Sequence, residues 1–263
     1  MLCGRWSRSS YGILFSLLTC VKKNSVMTDS DLMVLEDALK ILQKKSDALG
    51  QIKILIQLGQ IYQSNRQYQK ALIYSRRALD LAKDQSNPDY RIAALVNRGC
   101  VYWEMSQLKK AIGFFQDALP ITKELGDDVG RRMLYAIMGI SYWRKGEWPR
   151  AMDWFEKALQ DCPAGEIKNN TLQSIDPWKY EGLKIVMERG VETLKNRIQI
   201  AKNQNDPVRI LLPSFSIVPL MFFTGQKEQI PHLLQTIIPL ARQLKKNNIL
   251  DVILTFKKIT GVG

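Results

Sequence analysis

The 263-residue sequence has one histidine, His232. No metal or acid–base arrangement that needs two imidazoles can be assembled from it, and a lone histidine is by default a surface or core-edge residue. The four cysteines, Cys3, Cys20, Cys100 and Cys162, form no C-x-x-C pair. That spacing excludes the common zinc sites and gives no disulfide framework, so reduced thiols in a reducing, cytoplasmic compartment are expected. Glycine-rich phosphate loops of the G-x-x-x-x-G-K and G-x-G-x-x-G kinds are missing. No catalytic residue, cofactor or metal is therefore expected, and the chain does not read as an enzyme.

Concentrated charge is missing too. Lys and Arg number 38 against 25 Asp and Glu, a net of +13, but the excess is spread out and no basic run exceeds two residues. A basic stripe interleaved with aromatics would mark a nucleic-acid surface, and none is present. Spread positive charge favours solubility and a mild attraction for acidic partners. The first 28 residues differ: they hold Arg5, Arg8, Lys22 and Lys23, no acid, and the apolar stretch Tyr11–Val21. Eleven residues are too few to span a bilayer. Three readings stay open: a leader ending near Cys20, an organellar transit peptide, or sequence upstream of a start at Met27. Membrane association or organelle targeting through residues 1–26 belongs to the first two.

What the sequence does have is a period. Gly59, Gly99 and Gly139 are 40 residues apart, and so are Tyr62, Tyr102 and Tyr142. Ala71, Ala111 and Ala151 repeat in step, as do Ala78, Ala118 and Ala158; Phe115 and Phe155 match, with Tyr74 one place off the register. Each copy splits into two stretches of helical periodicity, such as residues 51–64 and 68–84, joined by short polar turns. A Gly in one helix facing an Ala in the next lets the axes approach, and the pair must stack on neighbours to bury its apolar face.

The three copies resemble the tetratricopeptide repeat family, in its long, 40-residue form. Leu58–Gly59…Tyr62…Ala71…Ala78, Gly99…Tyr102…Ala111…Phe115…Ala118 and Gly139…Tyr142…Gly146…Ala151…Phe155…Ala158…Pro163 carry the likeness. Leu-Gly-Asn repeat adaptors, kinesin light chains and bacterial peptide-sensing regulators have repeats of this length. The first Trp of the family pattern is replaced by Leu55, Leu95 and Tyr135. The resemblance implies an all-α, right-handed superhelix of helical hairpins. The domain plan it suggests is a leader or non-folded segment over 1–28, a half repeat with three repeats over 29–163, and a divergent helical region of degenerate repeats over 164–263. Five prolines fall after residue 200, and Pro239 is expected to kink or limit its helix.

In that family the first helix of each repeat lines a concave groove. Carried over by the glycine register, the implied partner-binding residues are Lys53, Gln60 and Gln63 in the first copy, Asn97, Trp103 and Glu104 in the second, and Ile140, Trp143 and Arg144 in the third. Trp103 and Trp143 follow the repeated Tyr and either anchor a partner or extend the core between first helices; the groove-facing reading is preferred because the Tyr already takes the buried place. The clamp some members use for a terminal carboxylate is absent, with Ile56 and Gln60 beside Lys53. The expected activity is that of a scaffold or adaptor capturing a protein or peptide, acidic or amphipathic, in its groove. A peptide-sensing regulatory module and a membrane-associated assembly factor are the alternatives.

Overall fold

A computed structural model describes residues 29–160 and 177–262. The readings of residues 1–28, of Cys162 and Pro163, and of the region's linker to residue 176 lie outside the described residues. Every regular element described is helical: α1 (Asp29–Lys44), α2 (Ala48–Ser64), α3 (Tyr68–Lys83), α4 (Pro88–Glu104), α5 (Leu108–Glu124), α6 (Asp128–Lys145) and α7 (Trp148–Leu159), then α8 (Pro177–Asn203), α9 (Pro207–Phe223), α10 (Ile230–Gln243) and α11 (Asn247–Thr260). A 3₁₀ turn, Lys227–Gln229, joins α9 to α10.

Each sequence repeat is one antiparallel hairpin, α2–α3, α4–α5 and α6–α7, stacked in chain order behind α1. This is an all-α helical-hairpin solenoid. Small residues set its spacing: a methyl on Gly99 or Gly139 would stand only 2.4 or 2.5 Å from the ring of Phe115 or Phe155, and both rings are fully buried. Side-chain caps start the first helices. Asp47 and Asp127 accept from the Gly50 and Gly130 N–H groups, and Asn87 accepts from Asp89 N–H ahead of α4, with Pro88 in its first turn.

The hairpin turns close on the repeated tyrosines. The carbonyls of Tyr62, Tyr102 and Tyr142 accept from the N–H groups of Gln67, Gln107 and Glu147 at 2.8, 2.9 and 3.0 Å. The residue before each donor, Arg66, Ser106 or Gly146, is left-handed, as such a C-terminal motif requires. Left-handed residues also occur at Ser46 and Gly126, and again at Asn205, Gly225 and Lys245, so the 20-residue half-period reappears in the C-terminal region without the repeat's motif residues.

Two details refine the sequence reading. Tyr74 is not a displaced copy of Phe115; Ser75 holds that place, and Tyr74 belongs to a second series with Phe114 and Trp154. Tyr74 stacks on Tyr62 at 5.2 Å as Phe114 stacks on Tyr102 at 5.5 Å. Pro239 does not end its helix, and Pro120, Pro213 and Pro219 are likewise interior to theirs. An interior proline forfeits a backbone hydrogen bond, a loss the packing of these helices outweighs.

The chain after the array folds back onto it. α8 packs along α4 and reaches α6; α9 packs on α8 and touches α6; α11 packs on α7. The larger core runs from Ile92 to Val262 and draws on both the repeats and the C-terminal helices.

Candidate functional site

The first helices α2, α4 and α6 present one inner face, and α8 lies on it. Two glycines let α8 approach closely. A β-carbon on Gly182 would stand 3.3 Å from Cys100 Sγ, and one on Gly190 would stand 3.5 Å from the Trp103 ring and 3.2 Å from Leu220. Tyr180, Leu183, Val186, Met187 and Val191 of α8 are all buried in the same core.

Charges fasten α8 at two levels. Lys179 Nζ lies 3.1 Å from Asp89, in the first turn of α4, and 2.9 Å from Asp127, the N-cap of α6. Tyr180 donates its hydroxyl to Asp127 at 2.7 Å. Burial works against the Asp127 carboxylate, but hydrogen bonds from Lys179, Tyr180 and the Gly130 N–H outweigh it and hold its pKa below the usual value. Burial likewise disfavours the Lys179 ammonium, and its hydrogen bonds to Asp127 and Asp89 outweigh that and raise its pKa. Ten residues on, Arg189 pairs with Glu104 at 2.7 Å and donates to Ser64 Oγ at 3.1 Å. Here burial prevails: it raises the Glu104 pKa despite the charge and the hydrogen bond of Arg189. Burial pushes the Cys100 thiol well up as well, so it is no nucleophile.

The residues implied by the repeat register lie on or beside this face. Lys53 is half-buried, its ammonium 5.9 Å from the Tyr90 ring and 5.7 Å from that of Trp178 on α8. Gln60 is half-buried, and Gln63 and Asn97 are buried. Trp103 is buried, donates to Ser141 Oγ at 3.1 Å, and carries the Arg144 guanidinium over its ring at 4.1 Å. Ile140 is buried. Trp143 is buried too, stacked on Phe215 of α9 at 4.5 Å and edge-on to Phe256 of α11 at 5.6 Å. Of the nine, only Arg144 is exposed. The chain's own C-terminal helices thus cover the two tryptophans.

Sequence reasoning passed over Lys179, Tyr180 and Arg189, the α8 side of this contact. A faint signal exists in Gly182 and Gly190, eight residues apart and hence on one helical face. Asp127, in the turn before α6, is a point where α8 is fastened. Among the described residues no group of three or more His, Cys, Asp or Glu side chains could hold a metal, and no helix is long and apolar enough to cross a membrane.

The sequence model of the tetratricopeptide repeat matches residues 50–124 and again residues 90–164. No curated protein matches the chain. Among solved structures the chain is similar to BtubC from P. vanneervenii, at 13% identity and a TM-score of 0.48, covering 85% of this chain and 93% of that one. It is similar to a tetratricopeptide repeat protein from Parabacteroides merdae, at 17% identity and a TM-score of 0.46, covering 98% and 94%. It also resembles the Rap conjugation gene regulator of the plasmid pLS20, solved with the Phr* peptide, at 16% identity and a TM-score of 0.45, covering 97% and 70%.

Proposed function

Because residues 50–164 belong to the tetratricopeptide repeat family, we propose that this chain is a non-enzymatic protein-interaction scaffold whose repeats hold helical segments, in an assembly or regulatory role. The observation that supports this reading is the way the inner face takes α8: apolar contact along the middle, with an ion pair toward each end of the contact. That is the chemistry by which a groove grips an amphipathic helix. Lys53, Gln60, Gln63, Asn97, Trp103, Glu104, Ile140, Trp143 and Arg144 form that holding surface in this reading, and residues 29–163 and 164–263 act as one unit built on it.

Magnitudes decide whether a partner replaces α8 or joins it. Five buried α8 side chains at roughly 2 kcal/mol each amount to about 10 kcal/mol as an upper figure. A partner helix competing with a tethered segment would have to exceed that. In this reading α8 stays in place and the partner, a protein or peptide, docks beside it.

Cross-linking of the full chain in native extract, with the linked residues mapped, tests the proposal. Links from α6, α8 or α9 to a second protein are the expected result. Links confined to the chain itself would refute it.

A further inference from the structure

The last three turns of α8 and the first half of α9 form a surface groove that the fold leaves open. Leu194, Arg197, Ile200 and Gln204 line one wall, and Arg209 and Leu212 belong to the other, around a cleft of about 450 Å³. Ile200 and Leu212 are 57% and 51% exposed, among the larger apolar exposures on the described surface. Ten residues of helix give the groove a length of roughly 15 Å, enough for about three turns of a partner helix. Ridges of such a helix pack into the trough between two helices.

The charge around the groove has one sign. The lining includes two bases, Arg197 and Arg209, and no acid. Asp206 caps α9 and pairs with Arg209 at 3.3 Å. Arg144, the exposed member of the repeat-register set, lies over the Trp103 ring at 4.1 Å, and Arg197 lines the groove itself. Among the described residues neither of these two arginines has a carboxylate partner. Two like charges held beside exposed Leu and Ile side chains are complementary to a segment that carries acids flanking an apolar stripe.

We infer that this groove is a docking site for an acidic amphipathic helix of another protein, with Leu194, Ile200 and Leu212 receiving its apolar face and Arg144, Arg197 and Arg209 pairing with its carboxylates. The inference rests on the scaffold reading and names the kind of partner. The chain's own residues 1–28 are the wrong match, since Arg5, Arg8, Lys22 and Lys23 flank their apolar stretch. A second copy brings the same net charge of +13. The groove is concave, a shape that suits a helix better than a flat anionic bilayer.

The full chain is panned against a displayed library of random peptides of about 16 residues, roughly four helical turns. The expected pool is enriched in Asp and Glu with apolar residues at i, i+3 and i+4. Its peptides bind the Arg197→Glu and Leu212→Asp chains at least about tenfold more weakly, and more weakly as salt rises. Both side chains are exposed; Arg209→Glu replaces either variant should its circular dichroism melt shift. Enriched peptides indifferent to these variants would overturn the groove and leave the scaffold reading standing, whereas no enrichment would overturn both. Two further outcomes count against the inference: binding to vesicles of phosphatidylcholine with phosphatidylserine, lost in the same variants, without peptide enrichment, or peptide binding that appears only after residues 1–28 are deleted.

Discussion

Asn97 lies against Gly59, its Oδ1 2.9 Å from where a β-carbon on that glycine would stand. In the next two repeats the matching glycines face the rings of Phe115 and Phe155; the first repeat has Ser75 there, and Asn97 reaches across from α4 instead. Asn97 is 1% exposed, and its amide has no hydrogen-bond partner among the described residues. It fills space as a leucine would, while bearing a desolvated polar group.

Asn97→Leu is therefore expected to leave the unfolding free energy unchanged or raise it by up to about 1 kcal/mol, since it removes an unpaired buried amide while keeping the branching of the side chain. Asn97→Asp places a charge in the same spot and is expected to cost about 3 kcal/mol or more. Urea denaturation of both variants measures the pair. A cost above about 1 kcal/mol for the leucine variant would mean that the amide makes an interaction this reading lacks.

Glycine plays different parts within one repeat, and two alanine substitutions separate them. Gly139→Ala gains about 1 kcal/mol of helix propensity but drives a methyl into Phe155, which also packs on Trp143, Phe223 and Phe256. A net loss of about 2 kcal/mol is expected from overpacking. Gly113→Ala in α5 meets nothing within 4 Å and should gain about 0.5–1 kcal/mol. Thermal melts of the two single variants should move in opposite directions.

The left-handed turn residues give a third test. Arg66, Ser106 and Lys245 have φ of 59°, 59° and 53° where Gly126, Gly146 and Gly225 serve elsewhere. A side chain costs about 1 kcal/mol in that conformation, partly offset by the freedom glycine adds to the unfolded chain. Each of Arg66→Gly, Ser106→Gly and Lys245→Gly should stabilise by about 0.5 kcal/mol, nearly additively because the sites are far apart. Gly146→Ala should destabilise by about 1 kcal/mol.

The repeat was legible because period and packing coincide: Gly99 packs on Phe115 within one hairpin as Gly139 packs on Phe155 in the next, so the same residue types return 40 positions on. The first repeat misled at Tyr74, since two aromatic series lie side by side and Ser75 blanks one of them. The fate of the inner face was not legible. Trp103 and Trp143 fit a partner anchor and a core residue equally well in one dimension, and what covers them comes from residues 180–256, whose pattern keeps the 20-residue turn spacing but none of the motif. Ion pairs such as Arg189–Glu104 join residues 85 apart in sequence, and no local periodicity encodes them.

The pairing of Lys179 with Asp127 makes the grip on α8 a function of pH, with a sign that differs from that of Glu104. The folded-state pKa of Asp127 lies below its ordinary 3.8, so its contribution is complete above that value and is lost as pH falls through the folded pKa. Lys179 is raised above 10.5, so its share is complete below 10.5 and lost only at still higher pH. Glu104 is raised above 4.5, so its ionisation in the folded chain costs stability, and that cost disappears as pH falls toward 4.5. Stability should thus rise modestly on going from neutral pH toward 5 and fall below 4. Glu104→Gln should reduce the rise, because burial raises Glu181 as well and that carboxylate adds to the same trend. Asp127→Ala loses a helix cap, the Tyr180 hydrogen bond and a carboxylate facing a lysine that is 11% exposed, which together cost about 2–4 kcal/mol at pH 7. That deficit should shrink below pH 4, as the parent's own Asp127 becomes protonated. Chemical denaturation of the parent and both variants across pH 2–8 reads all three trends. A deficit for Asp127→Ala that persists unchanged to pH 2 would show that the carboxylate acts through its uncharged hydrogen bonds alone, leaving α8 held by its apolar face.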